Sequence, residues 1–427
     1  MKDNHSSQPK PHLPDVLRSL GSRNFRLFFI GQAISLTGTW MQSIAMSWLV
    51  YRLTGSALML GIVGFSSQLP VFILASLAGV YVDRHNKHRI LVFTQALSML
   101  QAVTLAVLVF TNIITVWLIV ILSVMLGLIN AVDMPARQAF VMETIDNKQD
   151  LGNAIALNSS IFNSARLIGP SVGGIIIAVV GEGICFLWNG LSFLSVIFCL
   201  LAMRIREVPS NHGESHMLRE LKEGFSYTFN FMPLRDIMIL LAVISLVGMP
   251  YTVLMPVFSA DVLKGGADTL GYLLGAVGLG ALAGTIFLAS KKSILGLERN
   301  IVIGPAIFSA GLVLFALSRT IFLSIPLVIV AGFGMITLMA TSNTLIQSIV
   351  DDDKRGRVMS IYAMSLVGMA PFGSLLSGAL ASGIGAPNTV LIGGIICLAA
   401  AIYAAVRYPK LKSAIHAAYN YKYCAPR

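Results

Sequence analysis

Apolar residues run almost without interruption along this chain and are broken at intervals by short polar clusters. Twelve apolar segments result, at roughly 25–50, 58–81, 90–110, 114–136, 152–180, 184–203, 236–258, 270–290, 300–317, 321–346, 358–381 and 389–407. Each suits a helix crossing a hydrocarbon core, which takes about 20 residues. The runs lack the apolar–polar alternation of barrel strands. Within lipid only helices and closed barrels satisfy their own backbone. The pattern therefore predicts an all-α membrane protein of twelve transmembrane helices, numbered here as spans 1 to 12.

The polar clusters set the orientation. With the N-terminus inside, 25 of the 30 Lys and Arg residues fall in cytoplasmic loops or tails. Arg52, Lys264 and Arg319 fall outside, Arg137 closes the inner end of span 4, and Arg166 lies within span 5. The positive-inside rule then places both termini in the cytoplasm, which needs an even number of spans. The longest internal polar stretch separates six spans from six. The domain plan is a cytoplasmic tail at 1–24, a six-helix bundle at 25–203, a cytoplasmic central loop at 204–235, a second six-helix bundle at 236–408 and a cytoplasmic tail at 409–427. Within the central loop, 217–229 is either a short surface helix or a solvated linker. The C-terminal tail reads as a basic-aromatic surface segment.

Glycines repeat between the halves. Gly152, Gly169 and Gly174 recur 204 residues later as Gly356, Gly373 and Gly378. Both copies sit where a short charged loop feeds a Gly-rich span. Two halves related by a pseudo-two-fold axis along the membrane normal are one transporter plan, with the substrate site between them near the midplane.

Composition narrows the function classes. The chain is 56% hydrophobic and 11% charged, with a mean hydropathy of +0.79. That excludes a soluble enzyme, a secreted disulfide scaffold and a disordered regulator. The net charge of +11 would suggest nucleic acid in a soluble protein; here the inside bias accounts for it, and no nucleic-acid partner is expected. Cys185, Cys199, Cys397 and Cys424 form no CxxC pair and read as small packing residues. No metal is expected: His212 and His216 have no strong third ligand nearby, and Asp351-Asp352-Asp353 reads as a solvated turn. No cofactor is expected either. No phosphate-binding Gly-Lys-Ser/Thr loop is present, so a gradient must drive any transport, and no nucleophile–base pair in the spans points to an enzyme.

Four local patterns carry more specific information. The loop between spans 2 and 3 runs from Gly79 through Asp83 and Arg84 to Lys87 and Arg89. Gly79 permits close helix approach, and Asp83 can accept bonds from a helix N-terminus or an arginine. This reads as a cytoplasmic latch. Span 5 carries Ala156 and Ala165, then Gly169-Pro170-Ser171-Val172-Gly173-Gly174. Pro135-Ala136-Arg137-Gln138-Ala139-Phe140 closes span 4, and Arg355-Gly356-Arg357-Val358-Met359-Ser360 opens span 11 and brings Arg355 and Arg357 into the latch. Over roughly residues 20–408 these patterns resemble the major facilitator superfamily, in the bacterial branch that includes the enterobactin exporter and macrolide-efflux-like permeases. In span 5 the resemblance is to the antiporter signature, with Gly169, Pro170, Gly173 and Gly174 as packing residues. Alanine stands for glycine at the first two positions of that signature. The second-half copy of the loop, Ser290 to Gly296, has no acid, so any latch is lopsided.

Buried charge singles out the candidate site. Asp133 is the one acid clearly inside a span, on a stripe with Asn130 and Arg137. It reads either as a structural ion pair with Arg137 or as a proton-coupling acid whose surroundings change between two states. Arg166 lies about 21 Å into span 5 at 1.5 Å per residue. It reads as a cavity residue attracting an anionic substrate, or as a buried strut. Such residues face a wet cavity or a partner. Gln32, Thr39 and Gln42 form a polar stripe on span 1 that Met46 extends; helix–helix bonding and cavity lining are both open. Phe162 and Asn163 share a face with Arg166, and Tyr251 and Asn343 complete the proposed central cavity.

The resemblance implies a multi-pass secondary transporter of the bacterial inner membrane. It would export a small amphipathic or anionic molecule, of the siderophore or lipophilic drug class, by proton antiport with alternating access. The expected partners are the substrate, protons and the lipid bilayer, with the protein functional as a monomer. A lysophospholipid translocator or uptake permease, and a non-transporting membrane sensor, are the alternatives.

Overall fold

A computed structural model of the chain describes residues 15–204, 217–291, 293, 296–352 and 354–423. His212, His216, Asp353, Cys424 and the outermost parts of both tails lie outside the described residues. Twelve long helical segments follow in order. They are span 1 (Arg23–Thr54), span 2 (Ala57–Arg84), span 3 (Lys87–Phe110), span 4 (Val116–Glu143), span 5 (Leu151–Val180), span 6 (Glu182–Leu201), span 7 (Met232–Val262), span 8 (Ala267–Ala289), span 9 (Leu297–Leu317), span 10 (Ile321–Ile349), span 11 (Arg355–Ile384) and span 12 (Ala386–Tyr423). Eleven have the length and composition to cross a membrane. The twelfth, span 1, is continuous over 32 residues and is the more polar one, because it carries the Gln32, Ser35, Thr39 and Gln42 stripe.

Local chemistry sets the ends. Gly55 ends span 1 at φ +58°, a left-handed conformation that costs glycine nothing, and its N–H bonds to Tyr51 O at 2.7 Å. Ser56, Asn86 and Thr115 cap spans 2, 3 and 4 by accepting backbone N–H bonds. The central loop forms a helix, Met217–Asn230. Span 12 continues as helix to Tyr423, well past the expected start of the tail at 409. Its far end is held by Arg407 on Asp236 at 3.0 Å, His416 on Glu298 at 3.2 Å and Lys422 on Asp352 at 3.0 Å.

The halves differ in regularity. Spans 1 to 6 are each one α-helix. Span 7 passes through wide turns at Ile244–Gly248 and Phe258–Val262, with a tight turn at Met249–Thr252 between them. Span 11 breaks between Leu366 and Ala370. The two irregular helices meet where Ser245 Oγ donates to Leu366 O, one of the carbonyls freed by the break.

The glycine repeat is a structural repeat. Gly169 packs on Trp40 and Thr37 of span 1, and Gly373 packs on Leu246 and Pro250 of span 7. Gly174 sits against Ala267 O and Gly271 of span 8, and Gly378 against Ala57 O and Gly61 of span 2. Span 5 therefore crosses to the second half and span 11 to the first, as a pseudo-two-fold axis requires. A methyl group on Gly174 would lie 2.6 Å from Ala267 O, and one on Gly378 would lie 2.8 Å from Ala57 O. These crossings admit no side chain, the close approach small residues allow in lipid.

Candidate functional site

Both glycine crossings lie in the half of the bundle away from the two termini, the outer half on the positive-inside reading of the loops. The span 5–8 contact runs inward from Gly174–Gly271 through Ser171–Gly275 to Leu167–Gly278, and Arg166 O is its last member. The span 2–11 contact runs from Gly61–Gly378 through Gly64–Ser374 to Phe72–Gly368. Phe372 makes edge-on contacts with Phe65 and Phe72 along that line. Tyr51 OH donates to Asp261 Oδ2 between spans 1 and 7 at the outer end. The outer side is thus sealed by two equivalent seams and one polar bond.

Nothing lies within 4 Å of where a methyl group on Gly79, Gly152 or Gly356 would sit. The inner segment of span 11 packs on span 7 and the linker helix rather than on span 2. The close contacts between the halves along these seams therefore end at the level of Arg166 and Phe72.

Arg166 sits at that level. Its guanidinium lies over the Trp40 ring of span 1, 5.8 Å from the centroid. Trp40 makes an edge contact at 5.8 Å with the exposed Phe162 of span 5. Tyr251 of span 7 lies on the side of the second half near Arg166 and is packed against Phe308. Among the described residues no acid pairs with Arg166. An uncompensated cation, rimmed by aromatic faces from both halves, is a binding arrangement for an anionic group attached to an apolar body.

Asp133 is placed differently. It is 2% exposed and accepts from Thr94 Oγ1 at 2.7 Å, from Gln95 Nε2 at 2.8 Å and from Arg137. Arg137 also donates to Gln32 Oε1 at 2.5 Å. This cluster joins spans 1, 3 and 4 within the first half. Gln42 belongs to a second such cluster. It donates to Gln101 Oε1 at 3.1 Å and accepts from Asn189 at 2.7 Å, while Gln101 donates to Leu122 O. In this structure Gln32 and Gln42 thus serve as helix–helix struts, and cavity lining is not their visible role. Thr39 is exposed but turns its hydroxyl to Ser35 O. Met46 is partly buried against the core. Asn163 donates to Ser159 O, Asn343 accepts from Gln347, and Asn130 is partly buried.

The latch residues stand apart. Arg355 pairs with Asp352, and Arg357 pairs with Glu223 of the linker helix at 2.7 Å. Asp83, Arg84 and Arg89 are exposed. Sequence reasoning did not pick out Tyr51 and Asp261, which lie 210 residues apart. Ala57 and Ala267, which flank the two seams equivalently, are separated by the same interval. Searching at that interval as well as at 204 would have found the pair.

The transmembrane secretion effector family matches residues 16–425. The chain is 29% identical over 392 residues to the staphyloferrin A transporter of Staphylococcus aureus, covering 91% of this chain and 97% of that one. It is 25% identical to the multidrug efflux pump Tap of Mycolicibacterium fortuitum, covering 83% of this chain and 88% of that one. Its fold is similar, with a TM-score of 0.66 at 12% identity, to a bacterial homologue of the human lysosomal transporter Spinster in an inward-facing, unoccupied conformation; the match covers 95% of this chain and 99% of that one.

Proposed function

The chain belongs to the transmembrane secretion effector family, and from that premise we propose that it exports a small amphipathic anion across the bacterial inner membrane, acting as a monomer. Arg166 carries this reading: a cation near the end of an inward-opening crevice, with no acid beside it among the described residues. Cargo enters from the cytoplasm and sets its anionic group on Arg166. Its apolar body lies on Trp40, Phe162 and the Phe72–Phe372 pair. The relatives named for a siderophore and for multidrug efflux support export as the direction and these as the cargo classes.

Transport requires the second state. The two halves rock, the outer seams part and the inner ends close. The antiparallel register of spans 2 and 11 indicates what then meets. Gly61 lies opposite Gly378, and carried 22 residues inward the same register would bring Asp83 opposite Gly356. Asp83 would then cap the N-terminus of span 11 beside Arg355 and Arg357, with Gly79, Gly152 and Gly356 allowing the approach. Proton exchange supplies the energy. One charge crossing 100 mV is worth about 2.3 kcal/mol. Asp133, held by three donors, serves as the fixed counter-ion of Arg137 in this cycle.

The test uses inside-out vesicles with an acidic lumen. They should load the anionic amphipath carboxyfluorescein in preference to the cation rhodamine 6G. Arg166→Ala should abolish the loading, and Arg166→Lys should retain part of it. Equal loading of both dyes, or full loading by Arg166→Ala, would overturn the assignment.

A further inference from the structure

We propose that Tyr51 and Asp261 form the outer gate of the transport path, and that acid outside opens it. Tyr51 ends span 1 and Asp261 ends span 7, and the tyrosine hydroxyl donates to Asp261 Oδ2. The 210-residue shift that relates the two seams relates these residues too. A residue touches its own counterpart only near the axis that relates them. The bond therefore straddles the pseudo-two-fold axis at the outer mouth, and the halves cannot separate there without breaking it.

The partners are not alike, and that difference gives the bond its sensitivity. Asp261 is exposed on the outer face, so external protons reach it. As a carboxylate it accepts a charge-assisted bond, roughly twice as strong as a neutral one. As a neutral acid it holds Tyr51 more weakly. Along the chain, the ionisable groups next to the pair are Arg52 beside Tyr51, Lys264 in the span 7–8 turn and Asp268 at the start of span 8. Arg52 is taken by Glu182 of span 6, its Nε 2.7 Å from Oε1, and so does not replace Tyr51 as the partner. Asp133 cannot take this role, because its bonds stay inside one half and do not change when the seams part. Acid outside thus favours the outer-open state, in which cargo leaves.

The proposal rests on the alternating-access reading, and one experiment separates the two. Nitroxides are placed at Ile113 and Phe322, exposed outer positions of opposite halves, in the full chain with its four cysteines replaced and the protein in nanodiscs. Distances are measured by pulsed electron resonance from about pH 7 to about pH 4.5, where aspartates begin to take up protons. Wild type should shift toward the longer distance as pH falls. Asp261→Asn should show the long distance already at neutral pH and no further response. Tyr51→Phe should raise the long-distance population roughly tenfold, the worth of a hydrogen bond to a charged group, and flatten the response. A pH response that survives Asp261→Asn, or a Tyr51→Phe profile equal to wild type, would overturn the gate while leaving alternating access intact. A single distance under every condition, with and without carboxyfluorescein, would sink the rocking cycle and the gate with it.

Discussion

Asp133 and Arg137 pair one turn apart on span 4, and both draw their remaining partners, Thr94, Gln95 and Gln32, from spans 3 and 1 of the same half. The pair is therefore a brace inside one moving body. Asp133→Asn leaves Arg137 without its counter-charge. It should cost about 1–3 kcal/mol, less than for a fully enclosed pair because Arg137 reaches solvent. A lowered thermal midpoint in nanodiscs checks this, and adding Arg137→Gln should recover part of the loss. Retained proton-driven flux per folded molecule is the expected accompaniment.

Trp40 lies under the Arg166 guanidinium and makes an edge contact with Phe162. Trp40→Ala removes the cation–π contact, worth about 0.5–2 kcal/mol, together with the apolar wall. The apparent KM for carboxyfluorescein should rise about threefold to tenfold, with little change in membrane abundance. Trp40→Phe should lie between. Concentration series in inside-out vesicles read the difference.

The two outer seams should fail alike. Gly174→Val and Gly378→Val each drive a side chain into the backbone of the facing helix. Each should abolish transport and expose the outer crevice, seen as faster labelling of a cysteine placed at Ser374 by a thiol reagent that does not cross membranes. Unequal effects would contradict the equivalence of the seams.

The inner glycines should behave in the opposite way. Gly152→Val and Gly356→Val meet nothing within 4 Å in the inner-open state. Thermal stability should change little, while turnover falls because the inner ends can no longer close. Comparing melting curves with flux separates the two effects.

The end of span 12 should respond to acid. A hydrogen bond from Lys422, then the charges of Arg355 and Lys422, hold the Asp352 carboxyl below the usual range. A depressed carboxylate contributes stability above its unfolded value, about 3.9, and loses it as pH falls through the folded value. Protection from hydrogen exchange at residues 418–423, taken against the intrinsic rate at each pH, should therefore fall below about pH 4. Lys422→Gln should show the lowered protection already at neutral pH.

The spans were legible because lipid demands long apolar runs, and the pairing of halves because Gly152, Gly169 and Gly174 have copies. The roles of Gln32 and Gln42 were not. They lie on one stripe of span 1, and a stripe does not say whether a neighbouring helix or water faces it. The breaks in spans 7 and 11 left only Pro250, Pro256 and Gly368 as signals, and prolines also occur inside the unbroken spans 2, 4 and 5. The helical course of 409–423 was hidden because its polar residues suit a free tail as well as a tethered helix. Only the partners Asp236, Glu298 and Asp352, distant in sequence, decide between them.

The breaks in spans 7 and 11 make the two halves unequal machines. The first is six unbroken rods braced by buried amide and carboxylate bonds. The second carries two adjoining fractured rods on one wall of the proposed cargo path. A bulky guest entering from below therefore meets one stiff jaw and one compliant jaw. Tolerance for cargoes of different shape should trace to substitutions around Ser245 and Leu366, and discrimination by charge to Arg166 in the first half.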